Sequence, residues 1–195
     1  MVHRSNNMMH LSSVVSAITL LSSLSPGSYA LSVTVFGGGG FAGSRVCKIL
    51  ADKGASVTSI SKSGTIPKWC QDDEWTNQVT WKSVDLLSAD DSSIDQAVGN
   101  PDAVVSCVGV IGTDPDALLK GNGDANVAAF NSAKRAGAQR AVYVSVGSEV
   151  DACKDGWLPE FFQSYFEGKI IAENAAIDAM GGDAKKVCLV KPTFI

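Results

Sequence analysis

The sequence predicts an α/β protein built on a doubly wound parallel sheet. Short β-branched and apolar runs alternate with helix-like periodic segments from about residue 31 onward. A glycine-rich loop separates the first run from the first helix, giving a strand–loop–helix unit. No internal repeat or linker divides the 195-residue chain, which is long enough for one sizeable core. We therefore expect a single domain over residues 31–195, preceded by a different segment over residues 1–30.

Apolar runs bounded by turn residues define the predicted strands, and helical periodicity ended by glycine defines the predicted helices. The strands are expected over residues 33–36, 56–61, 79–84, 103–109, 141–146 and 187–190, and the helices over 41–53, 94–98, 124–136 and 164–180. Residues 64–78 are typical of a polar loop. Residues 147–163 are predicted to be irregular, either a substrate lid or a packed surface loop.

The loop after the first strand carries the glycine spacing of dinucleotide-binding proteins. Gly38-x-Gly40-x-x-Gly43 fits the general fingerprint, and an overlapping pattern that starts at Gly37 fits its short-chain dehydrogenase variant. One glycine turns the chain, one lets the backbone approach a pyrophosphate, and one lets the helix pack closely. The pattern predicts an anion at the positive end of the helix, and the alternative is a flexible glycine-rich turn.

Composition and charge indicate an ordinary globular chain. Hydrophobic residues make up 45% of it and charged residues 18%, and the net charge of −4 gives no sign of a nucleic-acid partner. The cysteines are odd in number and form no C-x-x-C pair, so we expect thiols that are mostly buried rather than a metal site or a complete disulfide framework. They are Cys47, Cys70, Cys107, Cys153 and Cys188.

Residues 1–30 are typical of a targeting segment. They contain no acidic residue, and Leu11–Leu24 is an apolar stretch rich in serine. The small-residue ending Ser28-Tyr29-Ala30 suits a secretory signal, whereas the serine content and the missing acids suit an organelle transit peptide. The apolar stretch is too short and polar to indicate a membrane span. The alternative is an additional N-terminal helix packed on the domain.

Residues at the carboxyl ends of the predicted strands indicate the cofactor. After the second strand a NAD site usually offers an acid, whereas this chain offers Lys62 between two serines, which suits the 2′-phosphate of NADP(H). The alternative for Lys62 is a solvated loop lysine. Asp85 follows the third strand and either contacts adenine or caps a turn. Gly109 either leaves room for a cofactor ribose or ends the fourth strand.

A tyrosine and a lysine four residues apart provide candidate acid–base chemistry. Tyr165 and Lys169 would share one face of the helix over residues 164–180, with Ala172 and Ala176 continuing that face. A tyrosine with a pKa near ~10 is a poor acid–base group at neutral pH, and a neighbouring ammonium is expected to lower that pKa. Such a pair could move a proton while hydride moves to or from a nicotinamide. The alternative is an ordinary exposed Tyr/Lys pair.

Five features together resemble atypical short-chain dehydrogenases/reductases. They are the Gly-Gly-x-Gly-Phe-x-Gly loop, Ser-Lys-Ser-Gly at residues 61–64, Val-Ser-Cys-Val-Gly at 105–109, Tyr-Val-Ser at 143–145 and the Tyr165-x-x-x-Lys169 pair. The resemblance covers residues 32–195. It is to the branch that contains the Rossmann-type accessory subunit of mitochondrial complex I and the yeast ubiquinone-biosynthesis Rossmann protein.

The resemblance implies an NAD(P)-binding Rossmann fold with tightly bound NADP(H). It further implies an organelle location, with the mitochondrion favoured over the plastid or the secretory pathway, and an accessory role in a respiratory or quinone-synthesis assembly. The alternative is an NADPH-dependent oxidoreductase acting on a small carbonyl or quinone-like substrate. The cofactor residues implied are Gly37, Gly40, Phe41, Gly43, Lys62, Asp85, Gly109 and Lys169.

Two departures from that pattern bear on catalysis. Ser145 and Ser148 straddle the position expected for the serine that acts with Tyr165 and Lys169, and Ser145 is the candidate that we carry forward. Proteins of this type also continue past the sixth strand into a small substrate-binding region, whereas this sequence ends at Ile195. The sequence therefore predicts a truncated chain whose substrate region is missing.

Overall fold

The predicted doubly wound parallel sheet is confirmed. A computed structural model describes residues 30–147 and 161–193, and its six strands are all parallel, in the order β3-β2-β1-β4-β5-β6. This is the strand order of the Rossmann fold. The strands are β1 (Ser32–Phe36), β2 (Ser56–Ser61), β3 (Val79–Ser83), β4 (Ala103–Ser106), β5 (Arg140–Val144) and β6 (Val187–Val190).

Helices connect successive strands and cover both faces of the sheet. Two short 3-10 turns, Lys68–Cys70 and Glu74–Gln78, interrupt the segment that was predicted to be a polar loop. The α-helices are α1 (Phe41–Asp52), α2 (Asp91–Val98), α3 (Pro115–Leu119), α4 (Ala125–Arg135) and α5 (Phe161–Ala179). Among the described residues no helix is long and apolar enough to cross a membrane.

The alternation of side chains along β1 divides the core into two layers. Val33 and Val35 face the α1 side, whereas Phe36 belongs to the layer under α2, α4 and α5. All three are buried, with at most 1% of the residue exposed. Four described cysteines are free thiols, as predicted, but only Cys47 and Cys70 are fully buried, and Cys153 lies outside the described residues.

A π-helical segment, Lys120–Asp124, joins α3 to α4 in one continuous helical run. The sequence predicted the second half of this run only, since Gly121 and Gly123 break the helical pattern. Both glycines are buried. A Cβ at Gly121 would overlap the Val110 side chain, and a Cβ at Gly123 would lie 3.3 Å from Gly168 Cα, so close packing requires these residues to be small.

The order of the strands places the site. β1 pairs with β2 on one side and with β4 on the other, so the chain reverses its winding direction between β1 and β4. The loops that follow β1 and β4 at their carboxyl ends therefore diverge and leave a crevice, which is where doubly wound sheets bind ligands.

Candidate functional site

The glycine loop after β1 is held by backbone hydrogen bonds. Gly37 adopts a positive φ of 75°, and its N–H donates to the Ile60 carbonyl at the end of β2 over 2.7 Å. The Gly40 N–H donates to the Gly37 carbonyl over 2.9 Å, which closes the turn. A side chain at Gly37 would be strained by its φ and would also lie 3.0 Å from the Cys107 backbone after β4.

The other two glycines of the fingerprint allow close packing. A Cβ at Gly38 would overlap Ser59 Oγ of β2 and lie 3.0 Å from Cys47 Sγ of α1. A Cβ at Gly43 would overlap the Gly37 carbonyl oxygen and lie 2.9 Å from Gly38 Cα. The first turn of α1 thus rests directly on the loop, and this contact requires glycine at both positions.

Among the described residues, no anionic side chain occupies the N-terminus of α1. Its N-cap is Gly40, no side chain caps it, and the first turn holds no acidic residue. The first N–H groups of the helix therefore remain available to an anion. A pyrophosphate fits the cradle that the glycine loop and this helix end form together.

An aromatic–cation stack lies beside this helix end. The Arg45 guanidinium lies 3.9 Å from the centroid of the Phe41 ring and 4.6 Å from that of Trp69. The Trp69 Nε1–H donates to Ser44 Oγ over 3.1 Å, so the loop after β2 is attached to α1. Phe41 remains 66% exposed at the mouth of the cradle. Arg45 and Trp69 were not predicted as site residues, since no sequence spacing indicated their contact.

Lys62 and Asp85 form an ion pair at the end of β2 and β3. Lys62 Nζ lies 2.8 Å from Asp85 Oδ2, with 82% of the Lys62 side chain and 29% of the Asp85 side chain exposed. The hydrogen bond from Lys62 and one from the Leu87 N–H lower the pKa of Asp85. Asp85 therefore caps a turn through Oδ1, as the alternative prediction for this residue held. Its other oxygen, Oδ2, pairs with Lys62.

Lys169 lies buried against the carboxyl ends of the central strands. It is 5% exposed, and its Nζ donates to the Val144 carbonyl over 3.2 Å. Gly109 lies beyond the end of β4, and a Cβ added to it would lie 3.3 Å from this Nζ. The absence of a side chain at Gly109 therefore leaves space for the lysine ammonium. Burial lowers the pKa of Lys169 to about 8, although the neighbouring Cys107 and Glu173 act in the opposite direction. The alternative of an exposed surface pair is therefore wrong.

Tyr165 lies one helical turn before Lys169, with the Lys169 Nζ 5.6 Å from the centroid of its ring. The predicted effect of the lysine on this phenol is wrong, because burial raises the pKa of Tyr165. The ammonium lies over the ring, and it is itself poorly solvated. Ala172 and Ala176 are buried, which confirms that this face of α5 packs on the domain.

Two buried asparagines that the sequence analysis missed hold the loop after β4. Asn122 donates to the Val110 carbonyl over 3.0 Å and accepts from the Val110 N–H over 3.2 Å. Asn126 accepts from Ser106 Oγ over 2.5 Å and donates to the Val108 carbonyl over 3.3 Å. Both asparagines are fully buried, so they fix the backbone around Gly109. Their i, i+4 spacing was visible, but nothing in the sequence showed that they face this loop.

Ser145 lies at the end of β5, and its hydroxyl is hydrogen-bonded to a protein carboxylate. It is 3% exposed, and its hydroxyl donates to Glu173 Oε1 over 2.5 Å. Glu173 is in turn paired with Lys191. The structure thus brings Tyr165 and Lys169 together and directs the Ser145 hydroxyl to a carboxylate. Ser148, the other serine considered, lies outside the described residues.

Comparison with known proteins agrees with this geometry. Residues 33–177 match the model of the NAD dependent epimerase/dehydratase family. Among solved structures, UDP-glucuronic acid 4-epimerase from Bacillus cereus in complex with NAD is similar, with a TM-score of 0.61 and 20% sequence identity. That likeness covers 82% of this chain and 55% of the epimerase chain, and it concerns the fold.

Two curated relatives are more similar in sequence. An uncharacterized chloroplastic protein of Arabidopsis thaliana is 34% identical over 165 residues, which cover 84% of this chain and 50% of the relative. MIOREX complex component 2 of Saccharomyces cerevisiae is 34% identical over 79 residues, which cover 40% of this chain and 28% of the relative. The matched region thus spans half, or less, of the length of these two relatives.

Proposed function

Because the chain belongs to the NAD-dependent epimerase/dehydratase family, we propose that it binds a nicotinamide dinucleotide, with NADP(H) preferred, in the crevice between β1 and β4. The observation that carries this proposal is the cradle after β1. There Gly38 and Gly43 permit contacts that a Cβ would block, and the uncapped N-terminus of α1 is open to an anion. When bound, the dinucleotide would supply hydride chemistry that no side chain provides.

The protein residues would bind and orient the cofactor in three places. The loop from Gly37 to Gly43 would hold the pyrophosphate, and Lys62 would hold the adenosine end. Lys169 would donate from its buried ammonium to the hydroxyls of the other ribose, in the space that Gly109 leaves open. Titration of the purified protein with NADPH and with NADH tests the proposal. If neither nucleotide binds, the proposal is excluded.

Cofactor preference depends on the Lys62–Asp85 pair. We expect Lys62→Ala to weaken NADPH binding roughly tenfold while changing NADH binding little, because only NADPH carries the 2′-phosphate. Asp85→Asn should strengthen NADPH binding, since Lys62 is released and a negative charge is removed. Calorimetric titration with both nucleotides measures these changes, and Lys134→Ala, at an exposed position of α4, is the matched control.

Two results would contradict this account of selectivity. Equal losses for NADPH and NADH in Lys62→Ala would assign the lysine to a shared part of the cofactor. Loss of both nucleotides in Asp85→Asn would instead support the predicted contact of Asp85 with adenine.

Dinucleotide binding should weaken as the pH rises through about 8. Burial lowers the pKa of Lys169 to that value, so the ammonium that would donate to the ribose is lost above it. Binding is expected to be strong and nearly constant below pH 7 and to decline through pH 8. Titrations at a series of pH values measure the effect. A flat profile in this range would show that the charge of Lys169 does not contribute to binding.

We propose that the protein acts in an organelle as an accessory factor that holds its cofactor within a quinone-linked or respiratory assembly. The chloroplastic relative and the relative named as a complex component support an organelle and an assembly, respectively. The commitment of the Ser145 hydroxyl to Glu173 also favours a binding role over catalysis. Pull-down from organelle extract tests this role through co-purification with respiratory or ubiquinone-synthesis proteins.

The arrangement of Tyr165 and Lys169 favours a second candidate, an NADPH-dependent oxidoreductase for a small carbonyl or quinone-like substrate. Lys169 Nζ lies 5.6 Å from the centroid of the Tyr165 ring, and a Cβ at Gly109 would lie 3.3 Å from the same Nζ, so a nicotinamide near Gly109 would lie within reach of proton transfer by this pair. Under this alternative, Tyr165→Phe should leave dinucleotide binding nearly intact and abolish NADPH oxidation. Nucleotide titration and a substrate-dependent absorbance assay measure the two effects. Unchanged turnover in the variant would exclude Tyr165 as the proton donor.

A further inference from the structure

A cluster of three side chains lies one turn along α5 from Lys169. The Glu173 carboxylate accepts from Ser145 Oγ over 2.5 Å, and its Oε1 lies 2.8 Å from Lys191 Nζ just beyond β6. The Glu173 side chain is 17% exposed, whereas that of Lys191 is 41% exposed. The carboxylate is therefore fixed from two strands at once, with its cation on the solvent side.

The position of Glu173 places its charge on the same face of α5 as the buried ammonium. Lys169 and Glu173 are four residues apart on α5, so their side chains share one helical face. Ser145 follows Val144, whose carbonyl accepts from Lys169, so both anchors belong to the end of β5. A carboxylate held there favours the charged form of Lys169 against the effect of burial.

We propose that Glu173 is a positioning residue for Lys169: anchored by Ser145 and shared with Lys191, it keeps the buried amine charged and directed toward the crevice. In the part of the chain that the structure describes, the other groups that face Lys169 are the Cys107 thiol after β4, the Tyr143 ring on β5 and the Tyr165 ring on α5. Burial raises the pKa of both Cys107 and Tyr143, so each is neutral at neutral pH. Within residues 30–147 and 161–193, Glu173 is then the anion that offsets the desolvation of Lys169, and its importance for cofactor binding rests on the proposed function.

Two substitutions with opposite expected effects test this inference. Glu173→Gln removes the anion and should lower the titration midpoint of Lys169 by roughly one unit. Lys191→Met removes the cation that competes for Glu173 and should raise that midpoint, by a smaller amount because Lys191 is partly exposed. Glu167→Gln, on the exposed face of α5, is the matched control and should not move it.

The midpoint is measured without a cofactor, by carbon-13 NMR of the full chain labelled at lysine Cε. The Lys169 resonance is the one that Lys169→Met removes. Opposite shifts in the two variants support the inference, and an unmoved midpoint in either variant overturns it, since a merely structural role would leave the titration unchanged. If Glu173→Gln does not fold, Lys191→Met alone decides.

Nucleotide titrations separate this inference from the proposed function. If the midpoints shift as expected and no dinucleotide binds, the inference about Glu173 holds and the proposed function fails. If a dinucleotide binds and the midpoints do not move, the proposed function holds and the inference fails. If both hold, the decline of binding with pH moves to lower pH in Glu173→Gln and to higher pH in Lys191→Met.

Discussion

Replacing Lys169 with methionine is expected to stabilise the fold and to weaken dinucleotide binding. The pKa of Lys169 falls from 10.5 to about 8 on folding, so below pH 8 the native state carries the full cost of a buried ammonium. Methionine removes that cost and leaves the Val144 carbonyl without its donor. The net gain is about 2 kcal/mol at pH 7, because a burial cost of about 3 kcal/mol is removed and about 1 kcal/mol is lost with the hydrogen bond. Loss of the charge-assisted hydrogen bond should weaken binding roughly 10- to 150-fold.

The stability advantage of Lys169→Met over the parent protein should depend on pH. Between pH 8 and 10.5 the unfolded chain binds the lysine proton and the folded chain does not, so the stability of the parent protein rises with pH there. The advantage of Lys169→Met should therefore shrink over that range. Urea unfolding at pH 7 and at alkaline pH measures the effect, with exposed Lys134→Met as the control. A variant that is destabilised at pH 7, or that binds NADPH as tightly as the parent, would contradict the expected role.

Replacing Gly43 with alanine should disrupt the cofactor cradle. The new Cβ would overlap the Gly37 carbonyl oxygen and lie 2.7 Å from its carbon, so the loop or α1 must shift. Alanine alone would favour the helix by about 1 kcal/mol, but overpacking against a backbone typically costs about 1–3 kcal/mol. We expect a net loss of stability and a loss of dinucleotide binding of about a hundredfold or more, since small displacements of a cradle strongly weaken its contacts.

Gly112→Ala is the matched control for this substitution. A Cβ at Gly112 would meet no atom within 4 Å, so the same change of residue is made without a clash. Thermal unfolding and nucleotide titration of the two variants separate the effect of the clash from the effect of losing a glycine. Full nucleotide binding by Gly43→Ala would place the dinucleotide elsewhere on the protein.

The fold was predictable because hydrophobic periodicity and glycine punctuation agree along most of the chain. The predicted bounds of β2 and β6 match the structure, and those of α1 differ by one residue. The fourth strand was predicted to run to Gly109 but ends at Ser106, and beyond that point the Asn126 side chain takes the hydrogen bond of the Val108 carbonyl. Local pattern cannot show such competition from a distant helix.

The site was predictable where spacing along the chain fixes the geometry. The glycine cradle and the Tyr165/Lys169 face depend on neighbours within one loop or one helix, and the structure brings each together. The effect of burial on Tyr165 was missed because an apolar environment depends on the whole fold. The pairing of Ser145 with Glu173 was missed for the same reason, since these residues are 28 positions apart.

The π-helical segment couples local opening of the helix to the mobility of the crevice wall. Two glycines make Lys120–Asp124 a poor helix by itself, so it depends on the hydrogen bonds of Asn122 to remain folded. The same side chain bonds Val110 on the loop after β4. If this turn unwinds, that loop is released with it, so the two segments should exchange their amide hydrogens as one cooperative unit. An interaction that stabilises Lys120–Asp124 should therefore also lower the frequency with which the loop after β4 opens.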